Sequence, residues 1–93
     1  MKKLKVELFG VARRLAQARE VEIEIGDTET YRHIAAALAE RFPAFLNQVI
    51  VPATHDLIDP YFFNVDARRV VRNLDGVPEA DKPLLLFFVD AGG

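Results

Sequence analysis

Residues 30–43 read TYRHIAAALAERFP, which is the pattern of a single amphipathic helix. Four bulky apolar side chains recur in it at helical spacing: Tyr31, Ile34, Leu38 and Phe42. Thr28 or Thr30 is suited to begin the helix, because a threonine hydroxyl can accept a backbone N–H from the first turn. Pro43 ends it, since the residue before a proline avoids the α region. A helix with one apolar stripe is expected to pack across a sheet.

Two strands are predicted before this helix. Leu4, Val6 and Leu8 alternate with charged residues, and the segment EVEIEI at residues 20–25 alternates in the same way. Residues 11–18 connect the two strands, with room for one or two helical turns, and Gly26 and Asp27 end the second strand. An antiparallel pair with a wide connection is therefore expected.

Three more strands are predicted after the helix. Residues 44–60 are interpreted as an irregular segment, followed by a strand over 61–65 and a partner over 69–72. Residues 74–83 are rich in turn formers, and the last strand, LLLFFV, covers 84–89. The order of elements predicts one α+β domain over residues 1–93, with a mixed sheet of about five strands on one main helix.

The last strand is apolar at every position, so both of its faces need cover. One face lies under the helix, and the other meets solvent, the 44–60 segment or another protein. A candidate partner surface is therefore expected from four phenylalanines, according to register: Phe62, Phe63, Phe87 and Phe88. The alternative is that these rings fill an ordinary core.

Composition excludes several functions. The 93 residues contain no cysteine, which excludes disulfides, thiolate metal sites and a cysteine nucleophile. His33 and His55 are too few for a histidine metal cluster, so no metal site is predicted. A net charge of −2 argues against a nucleic-acid partner. No apolar run approaches the ~18–20 residues of a membrane span, so a cytoplasmic protein without a membrane partner is expected.

No constellation of an independent enzyme is present. The sequence lacks a glycine-rich phosphate loop and a zinc-protease motif, and no serine, histidine and aspartate stand in a supporting context. No cofactor is expected to bind the chain. Two arginine pairs, Arg13-Arg14 and Arg68-Arg69, can contact acidic groups of a partner or can simply be solvated.

The chain ends in Gly92-Gly93, and a flexible tail is expected over residues 90–93. Four residues beyond Val89 extend roughly 13–14 Å, which lets a narrow backbone enter a partner's active site. The reactive group would be the carboxylate of Gly93. Because a carboxylate is a poor electrophile, a partner must activate it, for example as an acyl-adenylate made from ATP. Sulfide transfer to that acyl group would then give a thiocarboxylate.

The sequence resembles the ubiquitin-like sulfur carriers, such as the small subunit of molybdopterin synthase and its relative in thiamine synthesis. The resemblance rests on four stretches: residues 9–16, the helix at 30–43, the strand and turn at 63–66, and the terminal Ala91-Gly92-Gly93. It implies a β-grasp fold and a carrier role. Relatives often have Asn-Gly where this chain has Asp66-Ala67, which predicts a different turn geometry.

The resemblance also implies partners and site residues. A ubiquitin-activating-type adenylyltransferase, using ATP, would activate Gly93, and a molybdopterin synthase large subunit or an equivalent acceptor would take the sulfur. Docking would fall near Phe62, Phe87 and Phe88, with Arg13 and Arg14 as further contacts. Two alternatives stay open: a ubiquitin-like modifier conjugated through the same glycine, and a non-catalytic interaction module. Carriers for thiamine, cysteine or tRNA thiolation are variants of the first interpretation.

Overall fold

The computed structural model describes residues 1–89. They form five strands and two α-helices, in chain order β1 (Lys2–Leu8), α1 (Gly10–Ala16), β2 (Glu20–Ile25), α2 (Tyr31–Arg41), β3 (Tyr61–Val65), β4 (Arg69–Val70) and β5 (Leu84–Phe88). One turn of 3-10 helix covers Pro43–Phe45. The predicted element order is confirmed, including two helical turns in the first connection.

The strands form one mixed sheet in the order β2-β1-β5-β3-β4. β5 lies in the centre, where it pairs parallel with β1 and antiparallel with β3. β1 and β2 form the antiparallel pair that the alternating pattern predicts, with Val6 opposite Val21. The last strand of the chain is therefore held by hydrogen bonds on both sides.

The core lies between one face of the sheet and α2. β1, β2, β3 and β5 each send alternate side chains into it, and Ile34 and Leu38 of α2 are fully buried against them. The first turn of α2 is hydrogen-bonded to a loop that is distant in the sequence, because the amides of Tyr31 and Arg32 donate to the carbonyls of Gly76 and Leu74. These bonds satisfy two of the backbone donors that the first turn of a helix leaves free.

The segment between α2 and β3 is irregular, as predicted, and it is part of the core. Phe45, Val49 and Ile50 are all completely buried. Short bridges join Ile50 to Leu46 and to Leu57, so the backbone folds back on itself. Its 3-10 turn packs against both α1 and α2.

One local prediction needs correction. The partner of β3 is shorter than predicted, because β4 contains only Arg69–Val70. The turn before it has positive φ at both Asp66 and Ala67, which is the pattern of a type I′ turn. Three residues separate the paired Val65 and Arg69, so the hairpin loop is one residue longer than the two-residue loop that Asn-Gly favours.

Candidate partner-docking site

The candidate site is the end of β5, where the chain leaves the sheet. Val89 follows the strand directly and is 60% exposed. The two residues before it, Phe87 and Phe88, start from opposite faces of the sheet because strand side chains alternate and they stand opposite Phe62 and Tyr61. The two rings nevertheless meet at the end of the strand, with 6.0 Å between their centroids, so aromatic side chains surround the exit of the chain.

A row of three phenylalanines lies on the face of the sheet away from α2. The ring of Phe87 stands edge-on to Phe62 at 6.0 Å and to Phe9 at 5.0 Å between centroids. All three rings are half-buried. The guanidinium of Arg13 continues the row, with its carbon 5.0 Å from the centroid of the Phe9 ring. We call these four residues the outer patch.

The charged part of the same face lies over β1 and β2. Lys3 and Lys5 stand opposite Glu24 and Glu22, and the Lys5 ammonium lies 3.0 Å from a carboxylate oxygen of Glu20. This ion pair, through its hydrogen bond and its charge, raises the pKa of Lys5. The outer face therefore combines an apolar patch near the end of β5 with a mixed-charge surface beside it.

Phe88 lies on the other side of the strand, against the core. Its ring packs on Tyr61 with 5.5 Å between centroids. A cavity of about 380 Å³ opens beside it, lined mainly by apolar surface of Val11, Pro60 and Tyr61, with Arg14 among the lining residues. Arg14 is exposed, and it has no ion pair among residues 1–89.

The connection from β1 to α1 is fitted tightly under these rings. Gly10 has a φ of +62°, in the left-handed region that favours glycine. A Cβ at this position would overlap the Phe88 ring and would lie 2.9 Å from the Tyr61 hydroxyl. That hydroxyl donates to the Phe9 carbonyl at 2.8 Å and accepts from the Ala12 amide at 3.0 Å.

The strongest charge network lies elsewhere, at the start of α2. Arg32 donates to Asp56 at 2.6 Å and to Asp75 at 2.9 Å, so one guanidinium ties two loops to the helix. Hydrogen bonds from Arg32 lower the pKa of both carboxyls and raise that of Arg32 itself. All three groups are at the surface. The arrangement fastens loops and forms no acid–base pair of the kind that catalysis uses.

Neither a metal site nor a membrane span is found in residues 1–89. No three histidine, aspartate or glutamate side chains come together there in a way that could hold a metal ion. Within the same residues, no helix is both long and apolar enough to cross a membrane.

The structure brings together only part of the predicted surface. Phe62, Phe87 and Arg13 share the outer patch, whereas Phe88 faces the core-side cavity with Arg14. Phe63 is fully buried, so for this ring the alternative of an ordinary core position holds. Gly92, Gly93 and the rest of the predicted flexible tail lie outside the described residues.

Phe9 was not predicted as a site residue, although it lies between Phe87 and Arg13 in the outer patch. Phe9 directly follows β1, and the parallel pairing of Leu8 with Leu86 places it beside Phe87, which no local sequence pattern indicates.

This topology, a five-stranded mixed sheet with a parallel central pair and a crossing helix, is the ubiquitin-like β-grasp fold. Solved structures with the same fold confirm it. SAMP1 from Haloferax volcanii has a TM-score of 0.80 at 22% identity, over 98% of this chain and 99% of that one. A Pyrococcus furiosus protein assigned as molybdopterin converting factor subunit 1 has a TM-score of 0.75 at 24% identity, over 95% and 98%.

A third structure, the HVO 2177 protein of Haloferax volcanii, has a TM-score of 0.77 at 15% identity, over 99% of this chain and 87% of that one. No protein-family model matches the sequence, and neither does any curated protein. The resemblance to ubiquitin-like proteins that the sequence indicates is thus confirmed in the fold.

Proposed function

We propose that this protein is a ubiquitin-like sulfur carrier whose Gly93 carboxylate is activated by a ubiquitin-activating-type adenylyltransferase. One observation carries the proposal: the central strand β5 leads past a half-buried aromatic patch directly into the sequence Asp90-Ala91-Gly92-Gly93. A hydrogen-bonded strand fixes the start of the tail, and two glycines make its end narrow. The proposal requires Gly93 to be the last residue of the mature protein.

The proposed chemistry has two steps. The Gly93 carboxylate attacks the α-phosphate of ATP, forming the acyl-adenylate and releasing pyrophosphate. A hydrosulfide equivalent, supplied by a sulfurtransferase partner, then attacks the acyl carbon and expels AMP, which leaves a thiocarboxylate. The carrier contributes the acyl group and a docking surface, while its partners supply the nucleotide, the sulfur and the acid–base groups.

The outer patch is suited to hold such a partner. Aromatic rings with an arginine are the residue types that dominate the energy of protein interfaces. Phe9, Phe62 and Phe87 lie at the end of β5, so a protein that covers them has the tail within reach of its own active site. Arg14, beside Phe88 on the opposite face, is a second contact for an acidic group of the partner.

Molybdopterin synthesis is the sulfur-accepting pathway that we favour, in the cytoplasm, with a molybdopterin synthase large subunit as acceptor. The structural likeness to the Pyrococcus furiosus protein assigned as molybdopterin converting factor subunit 1 supports this choice. The genes beside the one for this protein discriminate between pathways. A pterin-synthase large subunit next to it supports molybdopterin, and a thiazole synthase supports thiamine.

The test of the activation step is a nucleotide assay. The purified protein is mixed with ATP and the adenylyltransferase of the same organism, and pyrophosphate release is measured. Release that depends on this protein, and that stops when Gly93 is deleted, supports the proposal. Equal release from the deletion variant contradicts it.

A second candidate is a protein modifier that forms isopeptides with lysines through the same glycine. The likeness to two structures of SAMP1, a small archaeal modifier protein, favours it. The discriminating observation is covalent adducts in cell extracts that resist thiol reagents and disappear when Gly93 is deleted. Adenylation without adducts favours the carrier.

A further inference from the structure

Helix α1 begins without a capping side chain of its own. Its N-cap residue is Phe9, whose side chain makes no capping hydrogen bond. The first turn of a helix has backbone amides without intrahelical partners, and Ala12, which carries one of them, is completely buried. A buried amide must find a partner, because an unpaired one costs about as much free energy as a lost hydrogen bond.

The missing cap is supplied by a different strand. Tyr61, the first residue of β3, places its hydroxyl across Gly10, where it accepts from the Ala12 amide at 3.0 Å and donates to the Phe9 carbonyl at 2.8 Å. One hydroxyl therefore binds the backbone on both sides of the residue with positive φ. Only a glycine leaves enough room for this approach.

The consequence appears on the opposite face of the sheet. Fixing the Phe9 carbonyl fixes the backbone from which the Phe9 ring stands edge-on to Phe87. Arg13 is then placed by a hydrogen bond from its Nε to the Leu8 carbonyl at 2.9 Å and lies over the Phe9 ring. Half of the outer patch thus depends on a hydroxyl that lies on the core side.

We infer that Tyr61 is a positioning residue for partner docking: its hydroxyl holds the β1–α1 junction so that Phe9 and Arg13 complete the outer patch. The inference rests on the proposed function, because it assigns the patch to the activating partner. Without the hydroxyl, the Ala12 amide and the Phe9 carbonyl must find new partners. The junction then adopts several arrangements, of which only a fraction presents the patch.

The experiment compares Tyr61→Phe with Tyr31→Phe. Tyr31 is also a buried tyrosine, but its hydroxyl makes no hydrogen bond within residues 1–89 and it lies away from the outer patch. The rate of pyrophosphate release by the organism's adenylyltransferase is measured at increasing carrier concentration. We expect Tyr61→Phe to raise the KM for the carrier by about tenfold with kcat unchanged, and Tyr31→Phe to match the wild type.

Two further measurements separate positioning from stability. Amide hydrogen exchange at Ala12 is expected to accelerate in Tyr61→Phe while the amides of α2 keep wild-type rates. In a Phe9→Ala background, Tyr61→Phe is expected to add little to the KM, because the hydroxyl acts through Phe9. A merely structural role would move the melting temperature and leave KM unchanged.

The outcomes are distinguishable. An unchanged KM for Tyr61→Phe, an equal rise for Tyr31→Phe, or full additivity with Phe9→Ala overturns the inference and leaves the proposed function standing. Wild-type protein that is not adenylated at all overturns the proposed function, and the inference with it.

Discussion

Phe87 and Phe88 are consecutive residues of the central strand, and their rings meet at its end with 6.0 Å between centroids. Phe87 belongs to the outer patch with Phe9 and Phe62, while Phe88 packs on Tyr61 and the core. Adjacent side chains of the last strand therefore belong to two different parts of the molecule, the outer patch and the core. The Phe88 ring anchors the strand in the fold, and the Phe87 ring contributes to the outer patch.

Alanine substitutions at these two positions should separate stability from docking. Phe88→Ala removes a ring that packs on the core, so we expect the free energy of unfolding to fall by about 1–3 kcal/mol. Phe87→Ala should cost less than about 1 kcal/mol and should raise the KM for carrier adenylation. Urea unfolding and the pyrophosphate assay measure the two effects. Identical behaviour of the two variants would contradict the assignment of faces.

Gly10→Ala is expected to destabilise the protein. The new Cβ would meet the Phe88 ring and the Tyr61 hydroxyl in a left-handed backbone conformation, which costs about 1–3 kcal/mol. For a domain of this size, that lowers the melting temperature by roughly 4–8 °C per kcal/mol. Gly76→Ala is the matched control, because a Cβ there meets only ordinary contacts. Equal melting temperatures for the two variants would refute this account of Gly10.

Phe45→Ala tests the irregular segment between α2 and β3. Its ring is fully buried and stacks on Phe42 at 5.1 Å between centroids. Removal of a core phenylalanine costs about 3–5 kcal/mol, which is a large share of the stability of a domain of this size. Thermal unfolding followed by circular dichroism measures the loss. A change below about 1 kcal/mol would mean that the segment is not part of the core.

The Arg32 network predicts a dependence of stability on acid. Its hydrogen bonds lower the pKa of Asp56 and Asp75 below 3.8 in the folded protein. A carboxyl with a lowered folded pKa contributes stability above its unfolded pKa, and that stability is lost as pH falls through the folded pKa. Arg32→Gln should therefore lower stability at neutral pH and flatten the loss below about pH 4.

Urea unfolding at a series of pH values measures this effect. Arg72→Gln is the matched control, since Arg72 is an exposed arginine without an ion pair in the described part of the chain. Parallel stability curves for wild type and Arg32→Gln between pH 2 and pH 5 would rule out the network as the cause.

Most of the fold could be predicted from periodicity. The alternation in β1 and β2 indicates strands, because it places every apolar side chain on one face only in an extended backbone. The spacing of Ile34 and Leu38 indicates a helix for the same reason. The shortness of β4 could not be predicted, since Val70 and Arg72 fit a strand as well as a loop. The positive φ of Ala67 could not be predicted either, because alanine has no preference for the left-handed region and adopts it here to close the hairpin.

Less of the candidate site than of the fold could be predicted from the sequence. The phenylalanines could be identified as a group, but their division between two faces needs the register of β3 against β5, in which Phe62 faces Phe87 and Phe63 faces Leu86. The role of Tyr61 depends on a contact across 52 positions with Phe9, and no local pattern reports such a contact.

The intact mass of the protein purified from its native organism tests the central claim most directly. We predict a fraction that is heavier than the printed sequence by the replacement of one oxygen with one sulfur, and that is absent from the variant without Gly93. The same spectrum shows whether Gly93 is the last residue. A mass that matches an unmodified carboxylate throughout, in cells that contain the adenylyltransferase, would contradict the claim.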